Sequence, residues 1–361
     1  EVIRDILDRE GFPQNAYSIV ESAPGRVNLV ARLRGDGSAR PLLLSGHVDV
    51  VPVEPEYWTH DPFGGEVIDG VIWGRGALDM KGEVAKYLSI FLSVYRQKLP
   101  LKRDLIFAAI ADEEAGFEHG SKFLVEKHPE LIDAEYGLTE SGGLTVHMRG
   151  ARLYPLQVAE KGVCWLRATA KGRPGHGSMP HSENAVLRLA AALERLRRAV
   201  HLPVHVTPPV EGMIAAMSQH LPAPMGVLVG LMRNPAMAGL LLKRLPDEQR
   251  GLFVALFSNS VSATMLHAGV KHNVIPSSAE ASLDCRLLPG QTPEDAMREI
   301  RQVMGTEIEL EPLYTSGGAA APLGTPLYRM MEKAIQRMDP GAGIMPMLMP
   351  GATDASQYTR A

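Results

Sequence analysis

The chain has 361 residues, of which 45% are hydrophobic and 22% charged, and its formal net charge is −4. That is the composition of an ordinary soluble globular protein, longer than one hydrophobic core usually organises, so two domains are expected. The charge balance has no basic excess and argues against nucleic acid as a partner.

Taken in chain order, Val2, Ile3, Ile6 and Leu7 recur at helical spacing before Gly11 stops them. From about residue 20 to 145, short apolar runs alternate with helix-length segments. The strands predicted here are "ARPLLLSGHVDVVP", "RDLIFAAIA" and "AEYGLTE"; the helices are "GEVAKYLSIFLSVYRQ" and "GSKFLVEKH". Such β/α alternation predicts an α/β fold, a mainly parallel-containing sheet with helices on both faces, with ligands bound beyond the strands' carboxyl ends.

After "LYPLQVAEKG" the texture changes. "VCWLRATAKG", "NAVLRLAAALERLRR", "SATMLHAGVKHNVIP", "SAEASLDCRLLPG", "TPEDAMREIRQVMG" and "EIELEPLY" read in the order β-α-β-β-α-β. That order predicts a self-contained α+β, ferredoxin-like sheet with helices on one face. Pro-rich residues 202–260 read as a helical insertion whose Met and Leu residues are core. Its most hydrophobic part, Met225 to Leu245, is interrupted by Arg233, Asn234 and Pro235 and carries Lys243 and Arg244. This reads as a helical hairpin or a buried helix pair and not a membrane span, so no membrane partner is expected. From about 316, in "PLYRMMEKAIQRM", the first texture resumes. The expected division is therefore 1–157 with 316–361 as one domain and 158–315 as a second inserted into it. Cys164 and Cys285 lie far apart in sequence and suit a reduced, cytoplasmic thiol pair, with one disulfide as the alternative. The chain starts on Glu1, already inside a helical pattern, so a leader before it is left open.

Chemistry gathers where the first domain's strands end. "SGHVDVVP" places His47 and Asp49 after an apolar run, and "WGRGALDMKG" places Asp79 in a Gly-rich loop before a helix. "LIFAAIADEEAG" ends on Asp112, Glu113 and Glu114, and "YGLTESGG" on Glu140. Each alone has a bland reading, a structural histidine or a helix cap. Together they would converge on one crevice, where unshielded carboxylates raise one another's pKa and divalent cations would neutralise them. Histidine nitrogen with carboxylate oxygen suits Zn²⁺, an Asp can bridge two ions, and an unliganded carboxylate can act as general base.

These motifs, followed by "GRPGHGSMPH", "HNVIPSSAEASLDCRLLPG" and "PGATDA", resemble the co-catalytic zinc family of aminoacylases, acetylornithine deacetylase, succinyl-diaminopimelate desuccinylase, glutamate carboxypeptidase and carboxypeptidase S-like metallohydrolases. The resemblance covers nearly the whole chain. It implies a zinc exopeptidase-like catalytic domain and a lid that often dimerises, hence a homodimer. It also implies two zinc ions, with Co²⁺ or Mn²⁺ possible at the same ligands. His47 and Glu140 would hold one metal, Asp79 would bridge both, and Glu114 would hold the second. Asp49 would fix the His47 tautomer, and Glu113 would be the general base. In the lid, His176 would donate to the oxyanion, the alternative being a surface-turn histidine, and Asn273 and Arg286 would bind a substrate carboxylate, with a surface salt bridge as the alternative for Arg286. The activity implied is hydrolysis of an amide in a small peptide (a carboxypeptidase or dipeptidase) or in an N-acyl amino acid. The alternative is a non-catalytic peptide- or amino-acid-binding relative of the same fold.

The chain departs from the family in one respect. A fifth ligand, a His shortly beyond "GATDA", is expected, yet the last histidine here is His272 and the sequence ends at Ala361. Further natural sequence carrying that His is expected. The polypeptide as it stands is expected to hold the second metal weakly and to turn over poorly.

Overall fold

The computed structural model describes residues 1–199 and 201–359. They fall into two compact units, Glu1–Ser141 with Thr353–Ala361, and Gly142–Ala352.

In the first unit, α1 (Val2–Arg9) precedes the hairpin of β1 (Tyr17–Ala23) and β2 (Arg26–Leu33), and β3 (Leu42–His47) follows. A small hairpin, β4 (Glu66–Ile68) with β5 (Val71–Trp73), leads to α2 (Lys81–Arg96) and β6 (Leu105–Ile110). Then come α3 (Ser121–Lys127), α4 (Pro129–Ile132) and β7 (Tyr136–Leu138). The sheet order is β1-β2-β6-β3-β7. β3 runs parallel to both β6 and β7, and β2 is antiparallel to β1 and β6.

The six residues of β6 are all buried because both faces of the sheet are covered. Leu105, Phe107 and Ala109 pack with Leu88, Phe91 and Leu92 of α2. Ile106, Ala108 and Ile110 pack on the other side with Leu124 of α3 and Ile132 of α4. Helices on both faces of a parallel-containing sheet are the arrangement the sequence predicts.

The second unit contains β8 (Val146–Met148), β9 (Ala151–Glu160), β10 (Gly162–Lys171), β11 (Gly175–His176) and α5 (Ala185–Arg198). Four helices follow: α6 (Pro208–His220), α7 (Met225–Gly230), α8 (Pro235–Leu242) and α9 (Asp247–Phe257). Next come β12 (Ser260–Ala268), β13 (Val274–Ile275), β14 (Ser278–Leu287), α10 (Pro293–Met304) and β15 (Ile308–Ser316). The unit closes with β16 (Ala319–Ala320), α11 (Pro326–Met338) and β17 (Gly343–Met349). Back in the first unit, α12 (Ala355–Tyr358) is the last described element.

The sheet order β12-β14-β10-β15, all antiparallel, is that of a ferredoxin-like domain. Leu189 and Ala192 of α5, with Ala296 and Ile300 of α10, cover one face. Thr292 starts α10 through a reciprocal cap: its hydroxyl accepts the Asp295 N–H at 3.2 Å, and the Asp295 carboxylate accepts the Thr292 N–H at 3.0 Å. The predicted strand "SATMLHAGVKHNVIP" splits at Gly269 (φ +66°) into β12 and β13, and β13 pairs with β11 instead. Cys164 and Cys285, distant in sequence, are direct register partners of β10 and β14, both free and buried. The α6 residues Val210, Met213, Ile214 and Met217 pack with Leu153 of β9 and Leu348 of β17, which pair in parallel.

Phe107 is fully buried with its ring 5.9 Å from that of Phe91. Phe107→Ala should cost about 3–5 kcal/mol, read as a lowered urea midpoint; a change below ~1 kcal/mol would contradict the packing described for β6.

Candidate metal centre

The parallel register of β3 and β6 pairs His47 with Ile110, so both strands end at one level. The segment after β6 is therefore delivered beside His47. Asp112, at φ +70°, turns the chain there, and its carbonyl accepts the Phe117 N–H at 2.8 Å. A short polar side chain tolerates that left-handed backbone better than an aliphatic one. The Asp112 carboxylate is buried, accepting the His119 N–H at 3.0 Å and facing Arg26 at 3.5 Å. Asp112 thus shapes the turn, while Glu113 and Glu114 are the acids it presents.

The Asp49 carboxylate spans this turn. Its two oxygens accept the backbone N–H groups of Glu113 at 3.2 Å and Glu114 at 3.1 Å. His47 is fully buried; its Nδ1–H donates to the Asp49 carbonyl at 3.1 Å, with the Asp49 carboxylate 3.5 Å away. That bond leaves Nε2 unprotonated in the neutral ring, facing Asp79 at 3.1 Å and Glu140 at 3.9 Å.

Two constellations result. His47, Asp79 and Glu114 offer ligand atoms within 4.8 Å of one another, and so do His47, Glu113 and Glu140. Their shared member is His47, whereas the family resemblance makes Asp79 the bridge. The donor set, one imidazole nitrogen among carboxylate oxygens, fits a borderline divalent cation.

The electrostatics point the same way. Burial, then the charges of Glu140 and Asp354, push Glu113 up to about 9. Burial opposes charge on His47, but the Asp49 hydrogen bond and the Glu113 and Glu140 charges outweigh it and raise His47 to about 10. Burial also disfavours charge on Asp49, yet His47 and the Glu114 and Glu113 N–H groups hold its pKa below the usual carboxylate value. Positive charge bound among these carboxylates would oppose both upward shifts.

The second unit carries the remaining predicted residues. β11 and β13 pair His176 with Val274, bringing Asn273 beside it, with the Gly177 N–H donating to the Asn273 carbonyl at 2.9 Å. His176 Nδ1 accepts the Ser178 N–H at 3.2 Å, so the neutral ring is protonated at Nε2. Arg286, on β14, forks onto Asp284 at 3.0 and 3.2 Å.

Sequence reasoning missed Asp354 as a site residue. Fully buried, it accepts a hydrogen bond from Ser121 Oγ, and burial raises its pKa to about 7. Its partner lies 233 residues away along the chain. The only signal available was its place in "GATDA". Tyr358 of α12 is likewise tied to the sheet, through Ser45 at 2.7 Å.

The family profile of peptidase family M20/M25/M40 matches residues 43–361. Among curated proteins, the N-fatty-acyl-amino acid synthase/hydrolase PM20D1 of Xenopus tropicalis is 28% identical, over 96% of this chain and 69% of its own length. Across such relatives, the chain spans about two thirds of their length. Among solved structures, the M20 family metallo-carboxypeptidase Sso-CP2 from Sulfolobus solfataricus aligns with a TM-score of 0.67 at 17% identity, covering 99% of this chain and 82% of that one. The Bacillus subtilis YXEP protein, described as a dinuclear metal binding peptidase, gives 0.59 at 15%, covering 99% and 78%. At these identities, the structural likeness is one of fold.

Two predictions follow from the geometry. Glu113, Asp354 and His47 all have folded pKa values above their unfolded values of 4.5, 3.8 and 6.5. The native state then binds more protons, and the stability these groups contribute is full below the unfolded values and lost as pH rises through the folded ones. Chelated protein should lose melting temperature steadily from about pH 5 to 9, and added Zn²⁺ should restore more at the alkaline end; a flat chelated profile would count against the charge crowding. Asp49→Asn keeps the shape but removes the charge, and should weaken metal affinity about 10–100-fold by competition titration.

Proposed function

The chain belongs to peptidase family M20/M25/M40, and from its site we propose that it is a metal-dependent hydrolase of an amide or peptide bond in a small substrate with a free carboxylate. The observation that carries this reading is the convergence of Glu113, Glu114, Asp79 and Glu140 on the buried imidazole of His47. His47, Asp79, Glu114 and Glu140 would hold two Zn²⁺ ions, with Co²⁺ or Mn²⁺ able to substitute. Bound there, the metals would polarise the scissile carbonyl and acidify the attacking water.

Glu113 then does the proton work. Held beside His47 and Glu140, with a pKa raised by burial and by its neighbours' charges, it accepts the proton of the attacking water and passes it to the leaving amine. Neutralising part of the surrounding charge would bring that pKa down towards the working pH, where a shuttling acid–base group is most effective. Asp49 holds the backbone of Glu113, so the carboxylate's swing starts from a fixed root. In the second unit, the Nε2–H of His176 suits donation to the developing oxyanion. Asn273 and the Arg286 fork would take the substrate's carboxylate, with Asp284 keeping the guanidinium oriented. Residues 158–315 would serve as the lid and the homodimer contact. Two substrate classes, N-acyl amino acids and dipeptides, have the bond and the free carboxylate this site suits.

Glu113→Gln in the natural protein should lower kcat about 10²–10⁴-fold on whichever class is cleaved, while bound metal measured by elemental analysis stays unchanged. Full activity in that variant would remove Glu113 from the mechanism. No hydrolysis of either class by the metal-loaded wild type would overturn the enzyme reading.

A further inference from the structure

From residue 212 to 246 the chain carries no acidic residue, while Arg233, Lys243 and Arg244 are basic. That imbalance falls on α7, α8 and the turn joining them. Gly226 lies so close to the carbonyls of Ser218 and Leu221 that an added Cβ would come within 2.6 and 2.8 Å of them. α7 therefore sits tightly on α6, with Val229 and Met232 turned into the core. The helical period then aims Val227, Leu228 and Leu231 outward, where they are 65%, 43% and 44% exposed. On α8, Ala238 and Leu242 are fully buried, and Leu240 on the opposite side is 44% exposed. Lys243 and Arg244 are exposed on that side too, and so is Arg233 between the helices.

A helix of the same unit that faces water is built differently. α5 turns out Glu194, Arg197 and Arg198 and pairs them at 2.6 and 2.7 Å. On α7, α8 and the turn joining them, aliphatic side chains are accompanied by cations alone, and the next acids, Asp247 and Glu248, follow in α9. That combination complements a surface that is apolar below and anionic above.

We propose that the exposed faces of α7 and α8 dock together on an anionic lipid surface. Val227, Leu228, Leu231 and Leu240 enter the acyl boundary, and Arg233, Lys243 and Arg244 meet the headgroup phosphates and carboxylates. The helices, six and eight residues long, are far short of the ~20 residues a crossing needs, and no helix among the described residues is long and apolar enough to span. They lie along the interface. No membrane partner was expected from sequence, because Arg233, Asn234 and Pro235 break the apolar run. The same break bars a span and sets a cation between the two helices.

The test is co-sedimentation of the full chain with sucrose-loaded vesicles, of phosphatidylcholine alone or of phosphatidylcholine with phosphatidylserine. The protein should pellet with the anionic vesicles, less so as salt rises, and not with phosphatidylcholine alone. Charge reversal in Lys243→Glu/Arg244→Glu, and separately Leu228→Glu/Leu231→Glu, should each weaken binding about tenfold or more. Both pairs are exposed, and unchanged circular dichroism and melting temperature will confirm the variants' folding. No pelleting with anionic vesicles, or undiminished pelleting of both variants, overturns the proposal. So does a Leu228→Glu/Leu231→Glu variant that only lowers the mass in sedimentation velocity, which would make the face a contact between copies of this chain.

Discussion

The site depends on one carboxylate. Asp49 leaves the end of β3 and accepts the two N–H groups that follow the turn after β6, so a single side chain locks two strand ends together. Its own backbone carbonyl orients the His47 ring. The parallel pairing of β3 with β6 sets the level, and Asp49 sets the angle at which Glu113 and Glu114 leave it.

The same constraint sorts the acids by chemistry. Asp49 accepts backbone donors and the imidazole, which favour its charged form against burial. Glu113 is as closely surrounded but by carboxylates, and burial and Glu140 favour its protonated form. Asp354 receives one hydroxyl hydrogen bond, from Ser121, and that does not offset complete burial. Neighbouring acids thus have pKa values shifted in opposite directions, which suits the acid–base role proposed for Glu113. Divalent cations would do for Glu113 and His47 what the N–H groups do for Asp49.

Much of this was legible in the sequence, for identifiable reasons. A strand buried on both faces reads as an unbroken apolar run, so Leu105 to Ile110 declared itself, and the acids after it could be placed at a strand end. His47, Glu114 and Glu140 stood out as candidates because each closes or follows such a run, and Asp79 because it sits in a Gly-rich loop just before a helix. The roles of Glu113 and Glu114 came only from the family resemblance, and the part Asp112 plays in the turn was not legible. It rests on a positive φ at Asp112 and on a hydrogen bond to His119, neither of which leaves a trace in residue type. Asp354 was hidden because its partner, Ser121, is remote in sequence, and the facing of Cys164 with Cys285 because strand register is a property of pairing. The break between β12 and β13 followed from Gly269, a residue the pattern of alternation passes over.

The helical insertion shows where an apolar pattern stops being informative. Met and Leu there read as core, and for the inward set that holds: Met213, Ile214 and Met217 of α6 and Leu242 of α8 form one cluster with β9 and β17. Val227, Leu228 and Leu231 have the same residue character and the opposite exposure. Composition cannot separate the two sets, because hydrophobicity records what a side chain prefers and not which way the helix is turned. The turning is done by Gly226, whose missing Cβ lets α7 rest on the α6 carbonyls. Packing does not require aliphatic residues on the far side of that contact. Lysine or glutamate at those positions would leave the inward face as it is, so their apolar character needs a reason outside the fold of this unit.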